Sequence, residues 1–141
     1  MAATLFVHAT GLVVLLRVLG RLHTVPPTGH WPTVRMLVHI IWWLILLHLV
    51  EISIWGAFYL WRRCLPDAET AFYFSGVTYT TLGYGDVVLA KPWRLLAPIE
   101  GLAGILMFSL STGYFFLVVS YIHQSRHLNA GAIPKTDRAE Q

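Results

Sequence analysis

Residues 80–86 of this 141-residue chain read Thr-Thr-Leu-Gly-Tyr-Gly-Asp. Their side chains offer two hydroxyls, a phenol and a carboxylate, with no nucleophile set beside a base, so covalent catalysis has nothing to work with. The backbone offers more. Glycines at 83 and 85 tolerate positive φ, which lets successive carbonyls turn toward one side of an extended segment. A column of such oxygens can replace the water around a cation.

Three apolar stretches surround this motif, at residues 4–19, 36–61 and 95–122. Residues 36–61 and 95–122 are each long enough to cross a bilayer as a helix. Residues 4–19 would span about 24 Å and contain Thr4, His8, Thr10 and Arg17. No Lys or Arg precedes that run, so it reads as a retained membrane helix rather than a secretory signal.

The connection at 62–94 is half apolar and aromatic. It contains Pro66-Asp67 followed by AETAFYFSGVTYTT, a stretch of helix-forming length with Asp67 and Glu69 at its positive end. About 13 residues cannot cross a membrane, so this helix must enter, stop near mid-depth and return as non-helical backbone. Such backbone is tolerated at that depth only where protein buries it or it lines water.

TTLGYGD resembles the TVGYG signature of potassium channels, and the order outer helix, pore helix, filter, inner helix is similar to the two-helix pore of bacterial channels over residues 36–123. The resemblance implies an all-α membrane protein with the potassium-channel pore fold, plus one extra N-terminal membrane helix. It also implies a homotetramer, in which three identical subunits complete the pore and K+ is the permeant ion rather than a cofactor.

The expected organisation is an extra helix at 1–20, a cytoplasmic loop at 21–35, a pore domain at 36–123 and a disordered cytoplasmic tail at 124–141. Within the pore domain the outer helix covers 36–61, the pore helix 68–80, the filter 81–85 and the inner helix 95–123. By resemblance the carbonyls of Thr81, Leu82, Gly83 and Tyr84 hold K+, with the Thr81 hydroxyl as innermost ring and Gly85 closing the filter. Leu82 stands where the family usually has Val or Ile, and its side chain is expected in the packing against the pore helix. Thr80, Tyr73, Phe74 and Tyr79 would support the filter, the three aromatics as a cuff around Tyr84. A pore-helix glutamate pairs with the aspartate after the filter in several relatives. That position is Val77 here, so Asp86 needs another partner, for which Tyr73 is the candidate.

Carboxylates inside apolar helices are costly and point to function. Glu51 is expected to support the pore helix from behind, with His48 one turn away, and Glu100 to pair with Arg94 or the filter surround. On the inner helix Gly104 serves either as a hinge or as a close-packing point. Phe108, Thr112 and Phe116 recur at helical spacing and would line the cavity, Phe116 forming a hydrophobic constriction. His39, His123 and His127 are candidate pH sensors near the cytoplasmic ends of their helices, the alternative being plain interfacial residues.

Composition narrows the rest. Hydrophobic residues make up 56% and charged residues 12% of the chain, too little polar surface for a soluble globule of this size. A net charge of +3 scattered over helix ends leaves no basic stripe for nucleic acid, and lipid headgroups are the expected counterions. The single cysteine, Cys64, excludes an internal disulfide, and no short-range ligand spacing marks a structural zinc site. Arg17, Arg21, Arg35, Arg126, Lys135 and Arg138 lie on one side of the expected topology and Arg62, Arg63, Lys91 and Arg94 on the other. That bias places the amino terminus outside and the carboxyl terminus in the cytoplasm of a cell (inner) membrane.

An arginine ladder for voltage sensing is missing, and the tail is too short for a ligand-sensing domain. Three readings follow: a potassium-selective channel subunit without steep voltage gating and open to proton modulation, a weakly selective cation channel, or a non-conducting auxiliary or scaffold membrane subunit. A membrane enzyme has no constellation to support it.

Overall fold

The computed structural model describes residues 1–22 and 29–131, with side chains through Arg21 before the gap and through Ser125 in the last helix. Four helices carry it: α1 (Ala2–Leu22), α2 (His30–Trp61), α3 (Ala68–Tyr79) and α4 (Leu96–Gly131), with a 3-10 turn at Lys91–Trp93 before α4. Three of them are long and apolar enough to cross a membrane: residues 2–21, 30–61 and 91–125. At 32 residues α2 is about 48 Å long, so it must tilt or project beyond a hydrocarbon layer of about 30 Å.

α2 begins at His30, inside the stretch expected to be a loop. Pro32 sits in its first turn, where a missing N–H breaks no intrahelical bond, so this proline starts a helix instead of stopping one. The rest of the expected loop, residues 23–28, lies outside the described residues. The last helix also overruns its expectation. It continues through residues 124–131 because nothing in Gln-Ser-Arg-His-Leu-Asn-Ala breaks a helix before Gly131 and Pro134. The expected disorder beyond 131 lies outside the described residues.

The spanning helices are antiparallel neighbours with one register. Tyr59 meets Glu100, and eleven residues back on α2 and eleven on along α4, His48 meets Ser111. α1 lies against both, with His8 at Glu51 and the Trp43 indole donating to the Gly11 carbonyl at 3.2 Å. A side chain at Gly11 would strike Leu47, so α1 reaches this close only because position 11 is bare.

Two apolar cores divide the bundle by depth. One joins Leu15, Ile40, Leu44 and Tyr114 of α1, α2 and α4. The other, built on Trp55, Tyr59, Phe74, Tyr79 and Met107, encloses α3 between α2 and α4. Gly56 admits the Phe72 ring against α2, and Gly104 admits the carbonyl of Tyr79 against α4, where any Cβ would collide with that backbone. Gly104 therefore serves close packing, one of its two expected roles.

The outer helix stops in a hydrogen-bonded cap. Arg63 N–H reaches the Leu60 carbonyl at 3.0 Å and Cys64 N–H reaches Tyr59 at 2.9 Å, with Arg63 at φ 52°, the left-handed position that glycine usually fills. Arg62 lies over the rings of both Trp61 and Trp93, at 5.7 and 4.9 Å, which fixes the ends of α2 and the 3-10 turn at one level.

Candidate functional site

Asp67 caps α3 with both carboxylate oxygens, one accepting from the Thr70 backbone N–H at 2.8 Å and the other from the Thr70 hydroxyl at 2.9 Å. The backbone bond, reinforced by the hydroxyl, holds its carboxyl below the usual range. Twelve residues later α3 ends at Tyr79, and the chain turns into the glycine-containing segment.

That turn is a stretched helix cap. Thr81 N–H bonds the Thr78 carbonyl at 3.0 Å, as in an ordinary left-handed cap, but the second bond, to Val77, comes from Gly83 rather than Leu82. Positive φ then falls on alternate residues: Thr81 at 62°, Gly83 at 51° and Gly85 at 79°. Alternation of hand along a segment turns successive carbonyls the same way, the arrangement a cation column needs. Thr81, β-branched, pays steric strain there that the two glycines do not. Thr80 is anchored by its hydroxyl to the Gly76 carbonyl at 2.6 Å.

Asp86 closes the segment. The Tyr73 hydroxyl donates to its Oδ2 at 2.7 Å, the partner expected once Val77 leaves the glutamate position empty. This bond lowers the Asp86 carboxyl below its ordinary value and raises the Tyr73 phenol above its own.

The expected aromatic cuff is not formed within the chain. Of its three members only Tyr73 reaches the segment 80–86, through Asp86. Phe74 packs edge-on against Tyr59 with centroids 5.2 Å apart, and Tyr79 is fully buried with its hydroxyl on Glu51. Helix geometry explains this: each residue turns about 100°, so 71, 75 and 79 share one face with 74, and 73 looks elsewhere. Leu82 also departs from expectation. It is 60% exposed in the single chain rather than buried in packing, and Tyr84 is 69% exposed.

Behind α3 the side chains of Glu51, Glu100, Ser75 and Tyr79 are buried and paired. Glu100 accepts from the Tyr59 hydroxyl at 2.7 Å and the Ser75 hydroxyl at 2.6 Å, not from Arg94 as one expectation had it, because Ser75 and Tyr59 face it across the α2–α3–α4 seam. One turn deeper, Glu51 takes Tyr79 and His48 on Oε2 and His8 on Oε1. Both carboxylates are fully buried. His8 was overlooked in the sequence because it lies some forty residues from its partners, beyond any local spacing rule.

Farther along α4, Phe108 stacks on His48 with centroids 4.3 Å apart and meets Tyr79 at 5.6 Å, so its ring packs onto the α2 and α3 side. Thr112 and Phe116 stay exposed, Phe116 at 69%. The His39 imidazole donates to its own helix at the Arg35 carbonyl, 2.6 Å away, and His123 is exposed. The His127 side chain lies outside the described residues. Cys64 is a half-buried free thiol whose pKa is pushed up by that burial.

A family model described as "Ion channel" matches residues 45–121, more than half of the chain and the whole of α3, the glycine segment and most of α2 and α4. No curated protein and no solved structure matches it.

Proposed function

The chain belongs to this ion channel family, and from that membership we propose that it is one subunit of a potassium-selective pore made by four copies of itself. The protein is a multi-pass membrane protein with a channel pore fold. The alternation of positive φ at 81, 83 and 85, in a segment left exposed beyond a short helix, carries the potassium reading. One copy supplies one strand of carbonyls, and a bare cation at mid-membrane needs a closed ring, which four copies around an axis provide. The carbonyls of Thr81, Leu82, Gly83 and Tyr84 would be the ligands, and Gly85 with the Tyr73–Asp86 pair would hold the outer rim.

The remaining assignments rest on that assembly. Leu82 and Tyr84, exposed on one chain, would bury against a neighbouring copy. Phe116 would narrow the inner mouth, with Thr112 facing the cavity. The amino terminus would lie outside and the carboxyl terminus in the cytoplasm of the cell membrane. Protonation of His39, His123 and His127 would modulate opening.

Reconstitution of the purified chain into liposomes tests this. Potassium flux should exceed sodium flux by orders of magnitude and stop with barium. Equal fluxes would instead mean a weakly selective cation channel, and no flux at any pH an auxiliary subunit. Replacing His123 and His127 by Gln should flatten the dependence of current on cytoplasmic pH, and coincident curves would reject proton modulation.

A further inference from the structure

The first helix, long and apolar enough to cross a membrane, carries a fully buried histidine, at 0% exposure. An imidazole in that position costs free energy unless its nitrogens are satisfied. His8 Nδ1 lies 2.9 Å from Glu51 Oε1, His48 Nδ1 lies 3.2 Å from Glu51 Oε2, and all three residues are buried. Ligand atoms of the three fall within 4.8 Å of one another. The Tyr79 hydroxyl makes a fourth donor beside them, bonded to Glu51 Oε2 and 3.2 Å from His48 Nδ1.

We propose that His8, His48 and Glu51, with Tyr79 at the fourth corner, form a binding site for a zinc-class divalent metal ion that clasps the first helix to the end of the pore helix. Two imidazoles and a carboxylate are a donor set that such ions favour. An ion with bonds of 2.0–2.1 Å in tetrahedral geometry separates its donors by about 3.4 Å, close to the 2.9 and 3.2 Å seen here. Filling the site requires the two histidine nitrogens and one Glu51 oxygen, within 4.8 Å of one another, to draw around a common centre.

The outer nitrogens of the two histidines share one partner. With both Nδ1 atoms donating to Glu51, the two Nε2 atoms must accept, and both turn toward Ser111 Oγ, at 3.1 Å from His48 and 3.5 Å from His8. In that tautomer the one proton of Ser111 serves a single Nε2, whereas His48 protonated on Nε2, with its Nδ1 facing the Tyr79 hydroxyl at 3.2 Å, donates to Ser111 instead. A metal ion on the Nδ1 atoms moves both protons to Nε2, and the two lone pairs of Ser111 Oγ accept both. A ligating histidine ordinarily holds its second nitrogen in this way.

The consequence is mechanical. Tyr79 is the last residue of α3 and Thr80 begins the turn toward the filter segment, so an ion here would fix that turn relative to α1, α2 and α4 together. Metal binding is read on the chain itself, so the result stands whichever ion the pore passes.

The test is equilibrium titration of the purified, metal-stripped full chain in detergent with Zn2+, and with Co2+ as a spectroscopic probe. One ion per chain is expected, with the intense visible bands of tetrahedral cobalt. His8→Gln should weaken binding at least 100-fold, and because it lies outside the segment shared with other channels, its folding can be checked on the unaltered pore domain. Ser111→Ala, which removes no ligand, should weaken binding about 10- to 100-fold, and the exposed His30→Gln should change nothing. Substoichiometric binding, octahedral cobalt spectra, or equal affinity in the wild type and His8→Gln would overturn the proposal and leave the cluster as a hydrogen-bonded brace.

Discussion

The two sides of the pore helix are built by opposite rules. Behind it, Ser75 and Tyr79 are fully buried, and each finds a carboxylate, Glu100 or Glu51, inside the same chain. In front of it, residues 80–86 are exposed and held by the Thr80 anchor, two cap bonds and the Tyr73–Asp86 pair. A membrane penalises unpaired backbone at depth unless protein or water covers it. The back is therefore covered within one chain, whereas the front is left exposed by it.

The sharpest way to break this comparison is at Gly104, the seam on the covered side. Gly104→Ala sets a methyl group against the Tyr79 carbonyl and should cost about 3 kcal/mol, at the upper end of overpacking penalties. A fall in the denaturation midpoint together with loss of flux is the expected readout. An unchanged midpoint would mean that α4 is free to move away from α3, as a hinge requires.

Gly83→Ala strikes the open side instead. A Cβ there meets no atom within the chain, so the penalty is the left-handed backbone, about 1–2 kcal/mol. Insertion should persist while potassium selectivity disappears. If Gly83→Ala prevented insertion while Gly104→Ala did not, the division between covered back and exposed front would be reversed.

Arg63→Gly provides a smaller effect of opposite sign. Arg63 caps the outer helix at φ 52°, and glycine should gain about 1 kcal/mol of stability there with no change in ion preference. Altered selectivity in this variant would show that the α2 cap is coupled to the filter.

The smallest effect is a shift in pH dependence. The Tyr73 bond depresses the Asp86 carboxyl, so the stabilisation it confers is present above the ordinary carboxyl range and is lost as pH falls through the depressed value. Tyr73→Phe removes that bond, and the acid midpoint for loss of flux should move upward, toward the ordinary aspartate range. A midpoint that stayed in place would remove Tyr73 from the filter support.

Much of this was legible in the sequence because it is local. The apolar runs, the Asp67 cap, the short helix after it and the glycine pair are each set by residues close in sequence, where periodicity and backbone preference decide the outcome. Even the Asp86 partner could be read from the empty acid position at Val77. What escaped depends on contacts between helices. The direction of Phe74 and Tyr79 is set by which face of α3 meets α2 and α4, and family likeness pointed them the wrong way. His8 joins Glu51 and Ser111 only once three helices are docked. Pro32 misled for a different reason: it lies in the first turn of α2, where a proline starts a helix instead of stopping one.

The most direct test of the potassium pore is the reversal potential of the purified protein in a planar bilayer, with potassium on one side and sodium at equal concentration on the other. A shift close to that of a pure potassium electrode, lost in Gly83→Ala, is the predicted result. A reversal potential near zero in the wild type would contradict it.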